Sequence, residues 1–207
     1  MHGVNLTQSV SNVRSSLGRK NNALQTTITV GALGGAGAAG ARGIAKDLTI
    51  SLRIPGWADA SATTVSLNGV FLIKLGTAQV GTFLHVKRPQ WKSGDVLKAS
   101  FGMRPRFVKL NDNRDTFDNV GSLHYGPYLL VGMSNGSYAL QADAADIDSW
   151  LTLDAASSVD AAHELSFTAR GTSGSFKILP LNRVVDEVYT VHFNVSADAR
   201  RGCADAL

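Results

Sequence analysis

Alternation of apolar and polar residues over short runs is the feature that most constrains the fold of this 207-residue chain. In Leu48–Ile54 (LTISLRI), four aliphatic side chains fall on one face of an extended chain, and Thr, Ser and Arg fall on the other. The same period recurs in Leu97–Met103, Glu164–Arg170 and Tyr189–Val195. Half-buried strands of antiparallel sheets have this pattern. Helical periodicity is weak, and its best stretch, Ala142–Leu151, predicts a short helix or turn at most.

Turn-forming residues separate these runs. Asn68-Gly69 lies between two apolar runs and is the strongest hairpin signal in the sequence. Pro55-Gly56 ends the strand that begins at Leu48, because proline cannot donate to a strand ladder. Gly126-Pro127 interrupts Leu123–Val131, where we expect a bend in the strand. Many short strands at this spacing predict an all-β fold, an antiparallel and jelly-roll-like β-sandwich with few or no helices.

Composition predicts the following division of the chain. Residues 1–140 form a β-sandwich core with a flexible Gly/Ala loop at 31–43, and residues 141–163, rich in Ala, Asp and Ser, form a connection. Residues 164–196 supply later strands that complete or adjoin the sandwich, and residues 197–207 form a disordered tail. The chain begins almost at once in a strand-like pattern, as a fragment of a longer protein would.

Charge and cysteine content argue against several classes of protein. There are 20 Lys and Arg residues against 16 Asp and Glu, and the positive charges are scattered, whereas nucleic-acid binders concentrate theirs on one face. No apolar stretch approaches the roughly 18 residues of a membrane-spanning helix, and the N-terminus has no signal-peptide pattern. The single cysteine, Cys203, rules out a disulfide framework and a cysteine-based zinc site within this chain. We therefore expect no nucleic-acid or membrane partner, and the compartment stays unknown.

The tract Gly35–Gly40 matches the letters G-x-G-x-x-G of dinucleotide-binding turns, and it follows the strand-like run Leu24–Val30. Seven residues separate Gly40 from Leu48, about two helical turns, whereas a parallel crossover needs a dozen or more. The sequence also does not match a Walker-type phosphate loop, because no Gly-Lys-Ser/Thr is present. We expect the tract to be a mobile insertion between strands, and we expect no cofactor in this chain.

Candidate catalytic groups are weak. Asp112, Asp115 and Asp118 gather in one segment, and glycoside hydrolysis uses a pair of carboxylates. Three Asp residues in a turn-rich loop are more often solvated turn-formers. The adjacent Asp186 and Glu187 would face opposite ways in a strand. The five histidines lack the spacing of metal ligands, so we expect no catalytic and no metal-binding residue.

Aromatic side chains offer another candidate chemistry. Trp57, Trp91 and Tyr125 could contact carbohydrate by stacking on sugar rings. Aromatic residues at strand ends more often anchor a core. Both interpretations stay open at this point.

Five segments taken in order resemble the β-sandwich region of glycoside hydrolase family 127, the β-L-arabinofuranosidase-like proteins. They are Leu52–Ala58, Val65–Gly69, Val86–Leu97, Met103–Arg106 and Tyr125–Gly132. In that family a strand ending in LRIP-x-W is followed by V-x-NG, then R-x-W-x-x-GD, then GP with an apolar strand. The resemblance implies that catalysis belongs to an N-terminal α/α barrel with a zinc-bound cysteine nucleophile, other cysteine ligands and glutamates. Nothing in this sequence matches that barrel, and the glycine-rich tract departs from the family pattern.

The resemblance implies an accessory, non-catalytic β-sandwich domain with a structural or substrate-access role in arabinoside hydrolysis. Its partner would be the catalytic α/α barrel of the parent protein, with glycans as a further candidate. The parent family hydrolyses glycosides, but this chain alone should have no catalytic activity. A stand-alone carbohydrate-binding module is the alternative, and a nucleotide-dependent enzyme is a third hypothesis that calorimetry with NAD, FAD and ATP would test.

Deleting Leu33–Gly43 should cost little stability, because the entropy of loop closure changes slowly with loop length. Thermal unfolding of the deletion variant beside the full chain measures this. A large loss of stability would mean that the tract packs against the fold or binds something.

Overall fold

The computed structural model describes residues 4–14, 22–32, 45–74, 79–111, 113–133, 139–141, 146–154, 165–171 and 174–196. Within these ranges the chain is built from β-strands and turns and contains no α-helix. Its 3-10 turns include Asp115–Phe117, Ile147–Ser149 and Leu181–Arg183. The chain divides into two compact units, Met1–Arg104 and Pro105–Leu207. The predicted all-β class is confirmed.

The first unit holds a five-stranded antiparallel sheet and two short strand pairs. Its strands are β1 (Val4–Arg14), β2 (Asn22–Ala32), β3 (Ala45–Lys46), β4 (Thr49–Arg53), β5 (Asp59–Leu67), β6 (Val70–Lys74), β7 (Phe83–Lys87), β8 (Gln90–Trp91) and β9 (Val96–Gly102). The large sheet has the order β1-β2-β9-β5-β6, while β3 pairs with β8 and β4 pairs with β7. All of these pairings are antiparallel.

The core of the first unit forms because alternating strands from separate sheets bury their apolar faces together. From the large sheet it receives Val30, Val65, Leu97, Ala99 and Phe101. From the short pairs it receives Ile50, Leu52, Val86 and Trp91. The predicted alternation in β4 is confirmed, because Thr49, Ser51 and Arg53 are exposed while the aliphatic residues between them are buried.

The Asn68-Gly69 hairpin is also confirmed. Asn68 has φ 51° and Gly69 has φ 81°, the two positive values that a type I′ turn requires. The turn joins β5 to β6, and Leu67 pairs directly with Val70. A two-residue turn of this type matches the twist of the strands that it connects.

The second unit is a curled sheet. Its strands are β10 (Pro105–Lys109), β11 (Val120–Tyr125), β12 (Tyr128–Met133), β13 (Ala139–Gln141), β14 (Leu151–Leu153), β15 (Phe167–Gly171), β16 (Gly174–Pro180), β17 (Tyr189–Thr190) and β18 (His192–Ser196). The order is β10-β11-β18-β13-β15-β16-β12-β17, with β14 on β15. Because β11 also pairs with β12, the pairings β11-β18-β13-β15-β16-β12 close into a circuit. The unit buries Leu123, Tyr125, Leu130, Phe167, Ile178 and Phe193.

Three details of the second unit differ from the sequence prediction. Gly126-Pro127 does not bend one strand but reverses the chain, since Tyr125 pairs with Tyr128 across a two-residue hairpin turn and Gly126 has φ 55°. The run Tyr189–Val195 is divided at Val191 into β17 and β18, and Tyr189 is exposed. Ser166, placed on the polar face by its alternation, is buried, and its hydroxyl donates to Asp154 Oδ2 at 2.6 Å.

The predicted division of the chain at residues 140, 163 and 196 stays a prediction. The described part of the segment 141–163 includes the 3-10 turn Ile147–Ser149 and strand β14, which agrees with the short turn expected there. The Gly/Ala tract 33–43 and the tail 197–207 lie outside the described residues.

Gly102→Ala should destabilise the first unit. A Cβ at Gly102 would lie 2.9 Å from the carbonyl oxygen of Ala62 and closer still to its Cβ, so backbone would have to move. Overpacking of this kind costs about 1–3 kcal/mol. Gly56→Ala is the matched control, because nothing lies within 4 Å of its added Cβ. Chemical denaturation measures both variants, and equal stabilities would contradict the packing described at Gly102.

Candidate functional site

Segments that carry the sequence resemblance meet at Asp95 in the first unit. Asp95 is 5% exposed. Its Oδ1 accepts a hydrogen bond from Asn68 Nδ2 at 2.8 Å. Its Oδ2 accepts one from Arg88 Nη1 and one from the Lys92 backbone N–H, each at 2.8 Å. Asn68, Arg88, Lys92 and Asp95 are called the Asp95 cluster below.

Local backbone geometry brings these groups together. Asn68 occupies the type I′ turn. Its side-chain Oδ1 accepts a hydrogen bond from the Val96 backbone N–H at 2.8 Å, and its backbone N–H donates to the Val96 carbonyl at 2.9 Å. Gly94, at φ 89°, supplies the positive angle that turns the chain into β9. The Val30 N–H donates to the Asp95 carbonyl at 2.9 Å, which ties the same turn to β2.

Trp91 lies in the core beside this cluster. It is 0% exposed, and its Nε1–H donates to the Leu48 carbonyl at 2.8 Å. The Arg88 guanidinium lies 5.6 Å from the centre of the indole ring, within cation–π distance. A fully buried indole has no face left for a sugar ring, so the candidate carbohydrate contact at Trp91 is replaced by a core role.

The Asp95 carboxyl is held in its charged form. Burial raises its pKa, but hydrogen bonds from the Lys92 amide and Asn68, together with the charge of Arg88, lower the pKa by more, and the net value lies below the usual 3.8. A carboxylate that accepts several hydrogen bonds stabilises the folded state through this difference.

A second buried carboxylate sits at the start of β5. Asp59 Oδ1 accepts from the Ser61 N–H at 3.0 Å, the Ser61 hydroxyl at 2.7 Å and Arg104 Nη2 at 3.1 Å. The Thr63 hydroxyl donates to the Asp59 carbonyl at 2.6 Å and accepts from the Gly102 N–H at 3.2 Å. These bonds lie at the irregularity between β5 and β9, where the pairing jumps from Asp59 to Thr64. Arg104, from the MRPR segment, therefore has a structural partner.

The other two candidate aromatics also pack internally. Tyr125 is 1% exposed and meets the Phe167 ring edge-on, with 5.0 Å between ring centres. Trp57 is half-buried and meets Phe101 edge-on at 6.2 Å. Tyr125 is thus closed to a glycan, and contact at the partly accessible Trp57 stays a prediction.

The acidic segment behaves as a turn in the residues that are described. Asp115 and Asp118 are exposed, and the Asp118 N–H donates to the Asp115 carbonyl at 3.2 Å. Asp112 lies outside the described residues. The described part of the chain holds no group of three or more His, Cys, Asp or Glu residues placed to bind a metal ion. No helix in the described ranges is long and apolar enough to span a membrane.

The strand before the glycine tract does not belong to a dinucleotide-binding fold. β2 is antiparallel to both of its neighbours, β1 and β9. A dinucleotide-binding turn lies in a parallel βαβ unit. The tract itself lies outside the described residues.

Sequence reasoning missed one polar group in the second unit. Arg106 on β10 pairs directly with His124 on β11, so both side chains share a face of the sheet. On the same face, the Ser122 hydroxyl lies 3.0 Å from His124 Nε2, and Ser122 pairs with His192 on β18. The alternation of β11 places Ser122 and His124 on one face, but the sequence does not show which strands pair with β11. The strand pairing is what places Arg106 and His192 beside them.

Residues 20–103 match the GH127 middle domain. The description of the matching family model is "Beta-L-arabinofuranosidase, GH127 middle domain". The matched stretch contains the Asp95 cluster and all of β2 to β9, and the resemblance expected from the sequence is confirmed. No curated protein is similar enough in sequence to count as a match.

Three solved structures are similar to this chain in fold. A GH127 beta-L-arabinofuranosidase from Geobacillus stearothermophilus T6 is 18% identical with a TM-score of 0.59, over 94% of this chain and 31% of that chain. A structure described as a glycoside hydrolase is 13% identical with a TM-score of 0.56, over 95% of this chain and 35% of that one. A GH127 beta-arabinofuranosidase is 18% identical with a TM-score of 0.53, over 85% of this chain and 32% of that one. At these identities the likeness shows a shared fold, and this chain spans about a third of the length of these proteins.

Asp95→Asn should destabilise the first unit at neutral pH by about 2–3 kcal/mol, because an amide presents N–H groups to Arg88 or the Lys92 amide and removes the charge between them. The folded pKa of Asp95 is lowered, so its stabilisation is complete above its ordinary pKa and is lost as pH falls through the folded value. The difference between wild type and variant should therefore shrink below about pH 4.

Urea denaturation at pH 7 and pH 3 measures this difference. Exposed Asp115→Asn is the control for a general effect of removing a carboxylate. A difference that is unchanged between the two pH values would contradict a charged Asp95.

Proposed function

We propose that this chain is an accessory, non-catalytic β-sandwich region of a GH127-like glycoside hydrolase. The observation that carries the proposal is how the motif residues are bonded. The side chains of Asn68, Arg88, Trp91 and Asp95 direct their polar groups to one another or to nearby backbone. Side chains that use their polar groups on one another and on nearby backbone support a structural role for these motif residues.

The carboxylates support a structural role in the same way. Glycoside hydrolysis needs two carboxyl groups that flank the scissile bond, one to give a proton and one to act as nucleophile or base. In the described residues, the buried Asp59 and Asp95 are each paired with an arginine. An ion-paired, hydrogen-bonded carboxylate with a lowered pKa is a poor proton donor at neutral pH.

The proposed partner is a catalytic α/α barrel in a longer protein, whose orientation and substrate access this region would support. Two findings favour this. The family model matched is that of a middle domain, and the similar solved structures are about three times as long as this chain. Hydrolysis of arabinosides would then belong to the longer protein.

The purified 207-residue chain should release no arabinose from an aryl β-L-arabinofuranoside. A GH127 beta-L-arabinofuranosidase, such as the Geobacillus protein, is the positive control on the same substrate. Release of arabinose by the chain, abolished by Asp112→Ala or Asp115→Ala, would overturn the proposal. The same variants must retain cooperative unfolding, so that a loss of activity is not a loss of fold.

A further inference from the structure

Arg106 and His124 form a pair of basic groups on one face of the second unit. They are directly opposite in the β10–β11 ladder, and both are half-buried. Side chains directly opposite in an antiparallel pair have Cβ atoms about 4.5–5.5 Å apart. Arg106 Nη2 donates to the Gly126 carbonyl at 3.3 Å, and the Ser122 hydroxyl lies 3.0 Å from His124 Nε2.

The Arg106 guanidinium lacks a counter-charge among the described residues. Its Nε is buried and has no hydrogen-bond partner. The two arginines that precede it in the sequence, Arg88 and Arg104, are both ion-paired with aspartates. Burial lowers the pKa of Arg106, and burial together with the charge of Arg106 lowers the pKa of His124. Both effects describe a site where a positive charge costs free energy that a bound anion would offset.

We propose that Arg106 and His124 bind the carboxylate of a sugar acid. The planar guanidinium offers N–H donors that match the oxygens of a carboxylate. The Nε of Arg106 is buried, so its Nη groups are the donors toward a ligand, and Nη2 also donates to the Gly126 carbonyl. His124, when protonated, adds a second cation beside the same oxygens. The site thus has the charge and the donor geometry for a carboxylate.

The neighbouring side chains favour a sugar ring over a small free anion. One step along the same face, Ser122 and exposed His192 supply hydrogen-bonding groups for hydroxyls. Exposed Val108, paired with Ser122 from β10, offers an apolar contact for ring C–H groups. The anion site rests on this geometry alone, whereas the choice of a sugar acid also rests on the proposed function.

The groups that face His124 are set by the strand pairings. From β10 they are Arg106 and Val108, from its own strand Ser122, from β12 Leu129 and from β18 His192. These described neighbours include no carboxylate. Uronate binding should therefore raise the pKa of His124, and affinity should increase as pH falls toward that pKa.

The site is tested by titrating the full chain with galacturonate and glucuronate. Calorimetry measures the affinity, and NMR of the histidine rings measures the pKa of His124. Galactose and glucose are control ligands that have the sugar ring but no carboxylate. Acetate is the control ligand that has a carboxylate but no sugar ring. Uronates should bind more tightly than all three. Arg106→Lys, which keeps the charge but loses the fork, should weaken uronate binding about 10- to 100-fold. His124→Gln should weaken it and remove the pH dependence.

Lys109→Gln is the matched control, because Lys109 is an exposed cation on the same strand as Arg106 but on the opposite face of the sheet. It should leave uronate affinity within about twofold, since an exposed charge away from the site is screened. Absence of uronate binding, equal binding of neutral sugars or of acetate, or affinity unchanged in Arg106→Lys would each overturn the proposal. The arabinoside assay reports on the proposed function separately, so failure of one is not failure of the other.

Discussion

The Asp95 carboxylate, held between Asn68, Arg88 and the Lys92 amide, is the interaction on which the first unit depends. It joins the β5–β6 turn to the turn before β9, two points 27 residues apart in the chain. The segment before β9 supplies two of the donors, Arg88 and the Lys92 amide, and the β5–β6 turn supplies the third, Asn68. An unpaired buried carboxylate would cost several kcal/mol. The hydrogen bonds therefore make the two turns interdependent, as expected for a connected polar network.

The core follows from the same arrangement. Arg88 reaches Asp95 while its guanidinium lies over Trp91, and Trp91 in turn donates to the Leu48 carbonyl before β4. The short β3–β8 and β4–β7 pairs are thus fixed against the large sheet by polar contacts at their ends and apolar contacts at their centres. This explains why Arg88, Trp91, Gly94 and Asp95 occur together as R-x-x-W-x-x-G-D: each has a partner or a backbone angle that this fold requires.

Much of the fold can be predicted because strand alternation and turn chemistry are local. β4, β9 and the Asn68-Gly69 hairpin are predictable, since burial on one face and positive φ each leave a direct mark on the sequence. The bend predicted at Gly126-Pro127 is wrong, because a bend and a two-residue reversal interrupt an apolar run in the same way. The aromatic candidates are ambiguous for a similar reason: stacking on a sugar and packing in a core need the same ring, and only burial separates them.

Arg88, Arg104 and Arg106 show where sequence reasoning stops. Arg88 is paired with Asp95, which is close to it in the sequence, whereas Arg104 is paired with the distant Asp59. Arg106 lies two residues beyond Arg104, in the same MRPR segment, and its Nε has no hydrogen-bond partner. Composition treats the three alike, whereas the fold gives two of them a carboxylate and gives the third a histidine. A half-buried cation placed against a second basic group would be stabilised by an anion from outside the described fold, and this difference from the two ion-paired arginines is the basis of the proposed carboxylate site.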